Sequence, residues 1–227
     1  MVAVFILLIL LVVILGPSIW VKYVLRKHHR QLDGMPGTGG ELAVHLLSRY
    51  ELENVKVEKS VKNDDHYSPG DNAVRLSPEV YEGKTLTAIA VAAHEVGHAI
   101  QFNRQEAVTR LRKRYFPVAL AIQRYGVFIL MCVPIVAGLI RSPAVMLAIG
   151  VVGIVTMLVS VLMYAAILPE EWDASFNKAL PILEKGEYVP KEYMPAIRQV
   201  LKACALTYVA AALADVLRLW RWLRFLR

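Results

Sequence analysis

Val2 to Val21 carry no charged side chain, Gly126 to Ile140 form a second such run, and Val145 to Ile167 a third. A bilayer core about 30 Å thick is crossed by roughly 20 apolar residues in a helix. In lipid every backbone N–H and C=O must find its partner within the segment, which leaves helices as the structures that such runs can adopt. From Phe116 only Arg124 is charged before Arg141, and Arg141-Ser142-Pro143 makes a very short connection, so the second and third runs read as a transmembrane hairpin. The hydrophobic fraction of 56% agrees, being above the roughly 45–50% of ordinary domains. The expectation is a mainly α-helical integral membrane protein.

The net charge of +7 sits beside these runs: Lys22, Arg26, Lys27 and Arg30 follow the first, and Arg110, Arg112, Lys113 and Arg114 precede the second. Basic residues flanking apolar spans mark the cytoplasmic side, so the charge orients the chain, and no nucleic-acid module accompanies it. No basic residue precedes the first run, which favours a retained anchor with its N-terminus outside over a signal peptide. The expected segments are an anchor at 1–22, a cytoplasmic catalytic segment at 23–115, the hairpin at 116–168, a second cytoplasmic segment at 169–202 and a C-terminal helix at 203–227. In that last segment Arg218, Arg221, Arg224 and Arg227 form one basic face, as expected of an interfacial helix. Fourteen residues, Ala203 to Val216, are short for a span. Cys132 and Cys204 lack a CxxC or cluster partner and read as small buried hydrophobes.

Within 23–115, Thr38 is the expected cap of a helix over Glu41 to Tyr50. Val55 to Val61 and Ala73 to Ser77 read as two short antiparallel strands, with turn residues from Asp64 to Asn72 between them. Ser77-Pro78 fits a cap followed by a first-turn proline, and Thr85 or Thr87 begins the next helix. That helix carries His94-Glu95-Val96-Gly97-His98 amid uncharged residues. Positions i and i+4 share a helix face, so both imidazoles reach one metal ion and Glu95 stands where it can take a proton from metal-bound water. Three ionisable groups on an otherwise apolar helix are costly to bury without a metal or partners.

Catalytic zinc usually takes three protein ligands. Gln101 and Arg104 occupy the positions where a metzincin has glycine and histidine, which excludes that pattern. His28 and His29 belong to the basic cluster and His45 lies opposite the apolar side of its helix, so His66 alone among the remaining histidines merits a test. Glu170, Glu171 and Asp173 in Pro169-Glu170-Glu171-Trp172-Asp173-Ala174-Ser175 are the better candidates, because two spans bring this segment back to the side of the motif. The competing explanation is that these carboxylates complement the dipole of a helix starting there.

HEVGHAIQ at 94–101, DHYSPGDNAVRLSPEVYEGKTLTAIAVAA before it, LPEEWDAS after the hairpin and LTYVAAAL at 206–213 resemble the YugP-like family of neutral zinc metallopeptidases, over most of the chain. That family is similar to the membrane gluzincins, which include HtpX-like proteases. The two short strands are expected to form a small sheet beside the HExxH helix, and the resemblance implies a zincin-like catalytic core with one Zn2+ per chain. Their third ligand is the glutamate of an E-x-x-A-D pattern, which here falls on Glu171, with Asp173 as the alternative ligand or its supporting partner. Ser175 departs from the final aspartate of that pattern, so the carboxylate that would orient a metal-bound imidazole is missing. The implied activity is that of a membrane-anchored endopeptidase with Glu95 as general base, acting on a peptide or protein substrate, at the cytoplasmic face of a prokaryotic cell membrane. His66 and Tyr67 are the candidate oxyanion stabilisers, and edge pairing with the strand ahead of the motif helix would hold the substrate. A non-catalytic membrane adaptor with a structural or vestigial metal site is the alternative function. It is disfavoured because structural zinc is usually closed by four ligands rich in cysteine.

Overall fold

The computed structural model describes residues 2–61, 64–132 and 142–223 and is mainly helical, with one three-stranded sheet. Two compact units divide the chain. The first comprises Ile19–Arg110 and Pro169–Thr207; the second comprises Met1–Ser18, Leu111–Leu168 and Tyr208–Arg227.

In the first unit, α2 (Gly39–Arg49) begins with a capping box: Glu41 N–H donates to Thr38 Oγ1 at 3.2 Å, and Thr38 N–H donates to Glu41 Oε2 at 2.8 Å. These bonds satisfy helix-start donors that would otherwise be open. Next come β1 (Lys56–Lys59), β2 (His66–Ser68) and β3 (Ala73–Leu76), then the short α3 (Pro78–Tyr81) with Pro78 in its first turn. The helix α4 (Leu86–Asn103) is capped by Thr85, whose hydroxyl accepts from Ala88 N–H at 3.0 Å. Every residue of α4 from Leu86 to Phe102 is buried. A helix buried on all sides belongs in a core, and α4, uncharged outside its motif, is the element that the rest of this unit surrounds. Leu46 of α2, Val74 and Leu76 of β3, and Leu183, Ile197 and Leu201 from the C-terminal part have almost no exposure. Each such aliphatic side chain contributes about 1.5–3 kcal/mol by leaving water.

The sheet order is β1-β3-β2. The two strands expected to be antiparallel, β1 and β3, are parallel, with Lys56 opposite Ala73 and Lys59 opposite Leu76. The reason lies in His66–Ser68, read from sequence as part of a turn. It is extended and takes the antiparallel edge of β3, with Tyr67 opposite Val74 and its side chain buried. The turn proper is only Pro69 to Asn72, and β1 is left to pair with the other edge of β3.

In the second unit, α5 (Arg110–Met131) and α6 (Pro143–Trp172) supply most residues, together with the beginning of α1 (Val2–Lys27) and the end of α8 (Met194–Leu223). Gly126 of α5 lies so close to α6 that an added Cβ would sit 2.0 Å from Thr156 Oγ1. Val118, Phe128, Leu147, Val151, Leu158 and Leu162 are exposed. Large apolar side chains thus face outward at intervals along both helices. Among the described residues two helical runs are long and apolar enough to cross a membrane, Leu147–Lys185 and Lys191–Leu213.

Three further expectations change. No helix starts at Pro169: α6 runs through it to Trp172 and continues as a π-helical turn, Asp173–Ala179, before α7 (Leu180–Lys185). Ala203 to Val216 is no separate fourteen-residue helix but the middle of α8, a helix of 30 residues, so shortness is no argument against its spanning. Cys132 and Cys204 are free and half-buried rather than buried. Residues 133–141, which hold most of the expected hairpin connection, lie outside the described residues, as do 224–227 and the side chains from 214 onward that would form the basic face.

Candidate metal centre

One helical turn separates His94 from His98 on α4, and their rings meet edge to face with centroids 4.7 Å apart. The third member comes from the end of α6. Glu171 Oε2 lies 3.3 Å from His94 Nε2 and 3.2 Å from His98 Nε2. The ligand atoms of these three residues are all within 4.8 Å of one another, and all three side chains are buried.

Each imidazole is held from behind. Ser175 Oγ lies 3.0 Å from His94 Nδ1 and 3.0 Å from the carbonyl oxygen of Leu201. The hydroxyl has a single proton, which it donates to Leu201, so it accepts from His94 Nδ1–H. On the other ring, Gln101 Nε2 donates to the carbonyl of Glu170 at 2.9 Å and to Asp173 Oδ2 at 2.8 Å. Its Oε1, 3.0 Å from His98 Nδ1, is therefore the acceptor of that ring's N–H. With both Nδ1 atoms engaged from behind, both Nε2 atoms face Glu171. This is the ring orientation that a metal requires of an imidazole ligand.

Electrostatics follow the same division. Burial alone would raise the Glu171 carboxyl, but the two imidazoles against it outweigh burial and hold it well below the usual carboxylate range. Glu95 lacks such compensation. Burial pushes its pKa up to about 7, with the Glu171 charge adding to the rise, while His94 and the Tyr67 N–H act the other way. The Tyr67 N–H donates to Glu95 Oε2 at 2.9 Å, so the edge strand β2 turns its outer side toward the general-base candidate.

The π-helical turn meets α4 at Gly97, where an added Cβ would lie 2.8 Å from the Ala174 carbonyl oxygen. The small residue inside the motif lets the strand-free backbone at 174 approach, and that approach carries Ser175 to His94. π-Helical turns are frequent at functional sites because the wider turn re-aims side chains.

Of the residues singled out from sequence, His94, Glu95, His98 and Glu171 come together. Asp173 does not join the triad: its carboxylate accepts from Gln101, from Asn177 at 2.7 Å and from Lys178 at 3.2 Å. Glu170 is buried on the Nδ1 side of His98, with Oε1 at 3.7 Å. The Tyr67 hydroxyl bonds Asn72 at 2.7 Å and Asn103 at 3.2 Å, and the His66 ring stands 3.6 Å from Asp64, so neither side chain is engaged with the triad. His45 bonds the Tyr188 hydroxyl at 2.8 Å. Sequence reading missed Gln101 and left the partner of the His94 ring open at Ser175. Gln101 was legible, since it stands three residues after His98 on the same helical face.

A family model described as "Putative neutral zinc metallopeptidase" matches residues 3–227. The chain is similar to the protein called "Putative membrane protease YugP" of Bacillus subtilis (strain 168), 32% identical over 214 residues that cover 92% of this chain and 91% of that protein. No solved structure matches it.

Proposed function

The chain belongs to the family whose model is described as "Putative neutral zinc metallopeptidase", and we propose that it is a membrane-anchored, zinc-dependent endopeptidase with a zincin-like core. The observation that carries this reading is the donor set: two buried imidazoles with Nε2 presented, and one carboxylate held anionic between them. Two nitrogens and one oxygen suit zinc, and three protein ligands are the number that leaves a position open for chemistry. His94 Nε2, His98 Nε2 and Glu171 would hold the ion. Zinc bound there supplies Lewis acidity toward water and the substrate carbonyl.

The remaining roles belong to the chain's own groups. Glu95 takes a proton from the attacking water and returns it to the leaving amine, and a pKa near neutrality suits a group that must do both. The Tyr67 N–H fixes the carboxylate through Oε2. The outer edge of β2 offers backbone groups for an extended peptide, whose pairing there would lay the scissile bond beside Glu95. The apolar outward surface of α5 and α6 supports a membrane surround, and basic residues at 22–30 and 110–114 support a cytoplasmic site.

Full-length protein in a neutral detergent, assayed on an unfolded protein substrate, tests the reading. Cleavage should require zinc, and Glu95→Gln should retain stoichiometric metal while losing about 10²–10⁴-fold in rate. Cleavage by that variant at the wild-type rate would sink the proposal.

A further inference from the structure

Between the C-terminal end of α4 and the segment from the π-helical turn to Tyr188 lies a cavity of about 390 Å³. Four cationic side chains line it, Arg49, Arg104, Lys178 and Lys185, and no acidic residue does so among the described residues. The cations come from different elements. Arg49 closes α2, Arg104 caps α4, Lys178 lies in the π-helical turn and Lys185 ends α7. Lys178 and Lys185 are seven residues apart on adjoining helical segments, whereas Arg49 and Arg104 reach the cavity from α2 and α4. Lys178 is compensated, by Glu106 at 2.9 Å and Asp173 at 3.2 Å. Arg49, Arg104 and Lys185 make no ion pair among the described residues.

Like charges gathered around one concavity repel, and a counter-charge relieves them. Two of the cations are also positioned. Arg49 donates to the Tyr188 hydroxyl at 3.0 Å, and that hydroxyl is in turn bonded to His45 at 2.8 Å. The Arg104 guanidinium stands over the Tyr50 ring, 5.9 Å from its centroid. Two guanidinium forks and two ammonium groups are the donor chemistry that compact, multiply charged oxyanions select, because each fork can bind two oxygens at once. Ile100, Pro181 and Ile182 supply an apolar wall.

We propose that this cavity binds a phosphate-type dianion, either the free ion or the monoester headgroup of a lipid. Lys178 is shared with the candidate metal centre. Through Asp173 and Gln101 it connects to His98, so an occupant of the cavity competes with Asp173 for the same ammonium group.

The site is tested without zinc and without any activity assay, so its outcome is independent of the peptidase reading. Metal-free full-length protein in neutral detergent is titrated calorimetrically with inorganic phosphate at constant ionic strength. Wild type should bind phosphate at least ten-fold more tightly than chloride, and the double variant Arg104→Ala/Lys185→Ala should weaken phosphate binding at least ten-fold. Both positions are exposed, so the fold should survive, and an unchanged far-UV spectrum and melting temperature would check it. Water-soluble short-chain phosphatidic acid, titrated in parallel with short-chain phosphatidylcholine as control, separates the sources. Tighter binding than phosphate points to a lipid headgroup, and equal binding points to the free ion. Phosphate binding no tighter than chloride, or equal affinity in a folded double variant, would overturn the proposal.

Discussion

Ser175 Oγ bridges His94 Nδ1 and the Leu201 carbonyl, 3.0 Å from each, so a serine fills the place where the gluzincin pattern has a carboxylate. A neutral hydroxyl fixes the tautomer of His94 as a carboxylate would, because the Leu201 carbonyl fixes the direction of the hydroxyl proton. It adds no negative charge behind the ring, so His94 is a less basic ligand than one backed by aspartate.

Ser175→Ala removes that bridge and leaves the buried His94 Nδ1–H without its partner. The expected cost is about 1–3 kcal/mol in stability and a fall of roughly 10–100-fold in zinc affinity. Competition with a chromophoric chelator measures the second quantity. An unchanged affinity would contradict the role assigned to Ser175.

Glu171 and Asp173 are separated by the partners of their oxygens. Glu171→Gln should abolish stoichiometric zinc, whereas Asp173→Asn should still copurify with about one zinc per chain, held more weakly through Gln101. Elemental analysis of the two purified variants decides it. Zinc lost from Asp173→Asn but kept in Glu171→Gln would reverse the assignment.

Gly97 is the contact at which α4 and the π-helical turn approach, with the Ala174 carbonyl 2.8 Å from an added Cβ. Gly97→Ala must push backbone aside and should cost about 1–3 kcal/mol, as overpacking does. A thermal melt of the metal-free protein should show the loss, and zinc affinity should fall with it, since Ser175 moves with Ala174. A variant as stable as wild type would show that the contact relaxes freely.

Metal-free protein should also report the burial of Glu95. Its folded-state pKa of about 7 exceeds the ordinary 4.5. Between those values the folded state holds more protons than the unfolded state, so stability falls as pH rises through the window and levels off above it. Glu95→Gln has no such equilibrium. Its stability relative to wild type should therefore grow from pH 5 to pH 8, by up to about 3 kcal/mol. Melting temperatures of the two proteins in chelator across that range test it, and a constant difference would mean that Glu95 is not raised.

Much of the local structure was legible. Thr38 with Glu41 and Thr85 with Ala88 are contacts over three residues, so the chain specifies them wherever the helix sits. The His94 and His98 pair is equally local, a matter of helical pitch. The direction of β1 against β3 was not legible, because alternation in a strand marks its two faces and says nothing of which neighbour it takes.

The sequence by itself determined the apolar helices, the caps and two of the three members of the donor set, since each depends on residues within one or two turns. Only the tertiary structure decided which carboxylate faces the imidazoles and how each ring is anchored. Glu171 lies 73 positions from His98, and Ser175 lies 81 from His94. Their meeting depends on the close approach of Gly97 and Ala174, together with a π-helical turn that no local pattern announced. Asp173, two residues from Glu171, was chemically as good a ligand. Packing turned it outward to Lys178 and made it the support of Gln101 instead.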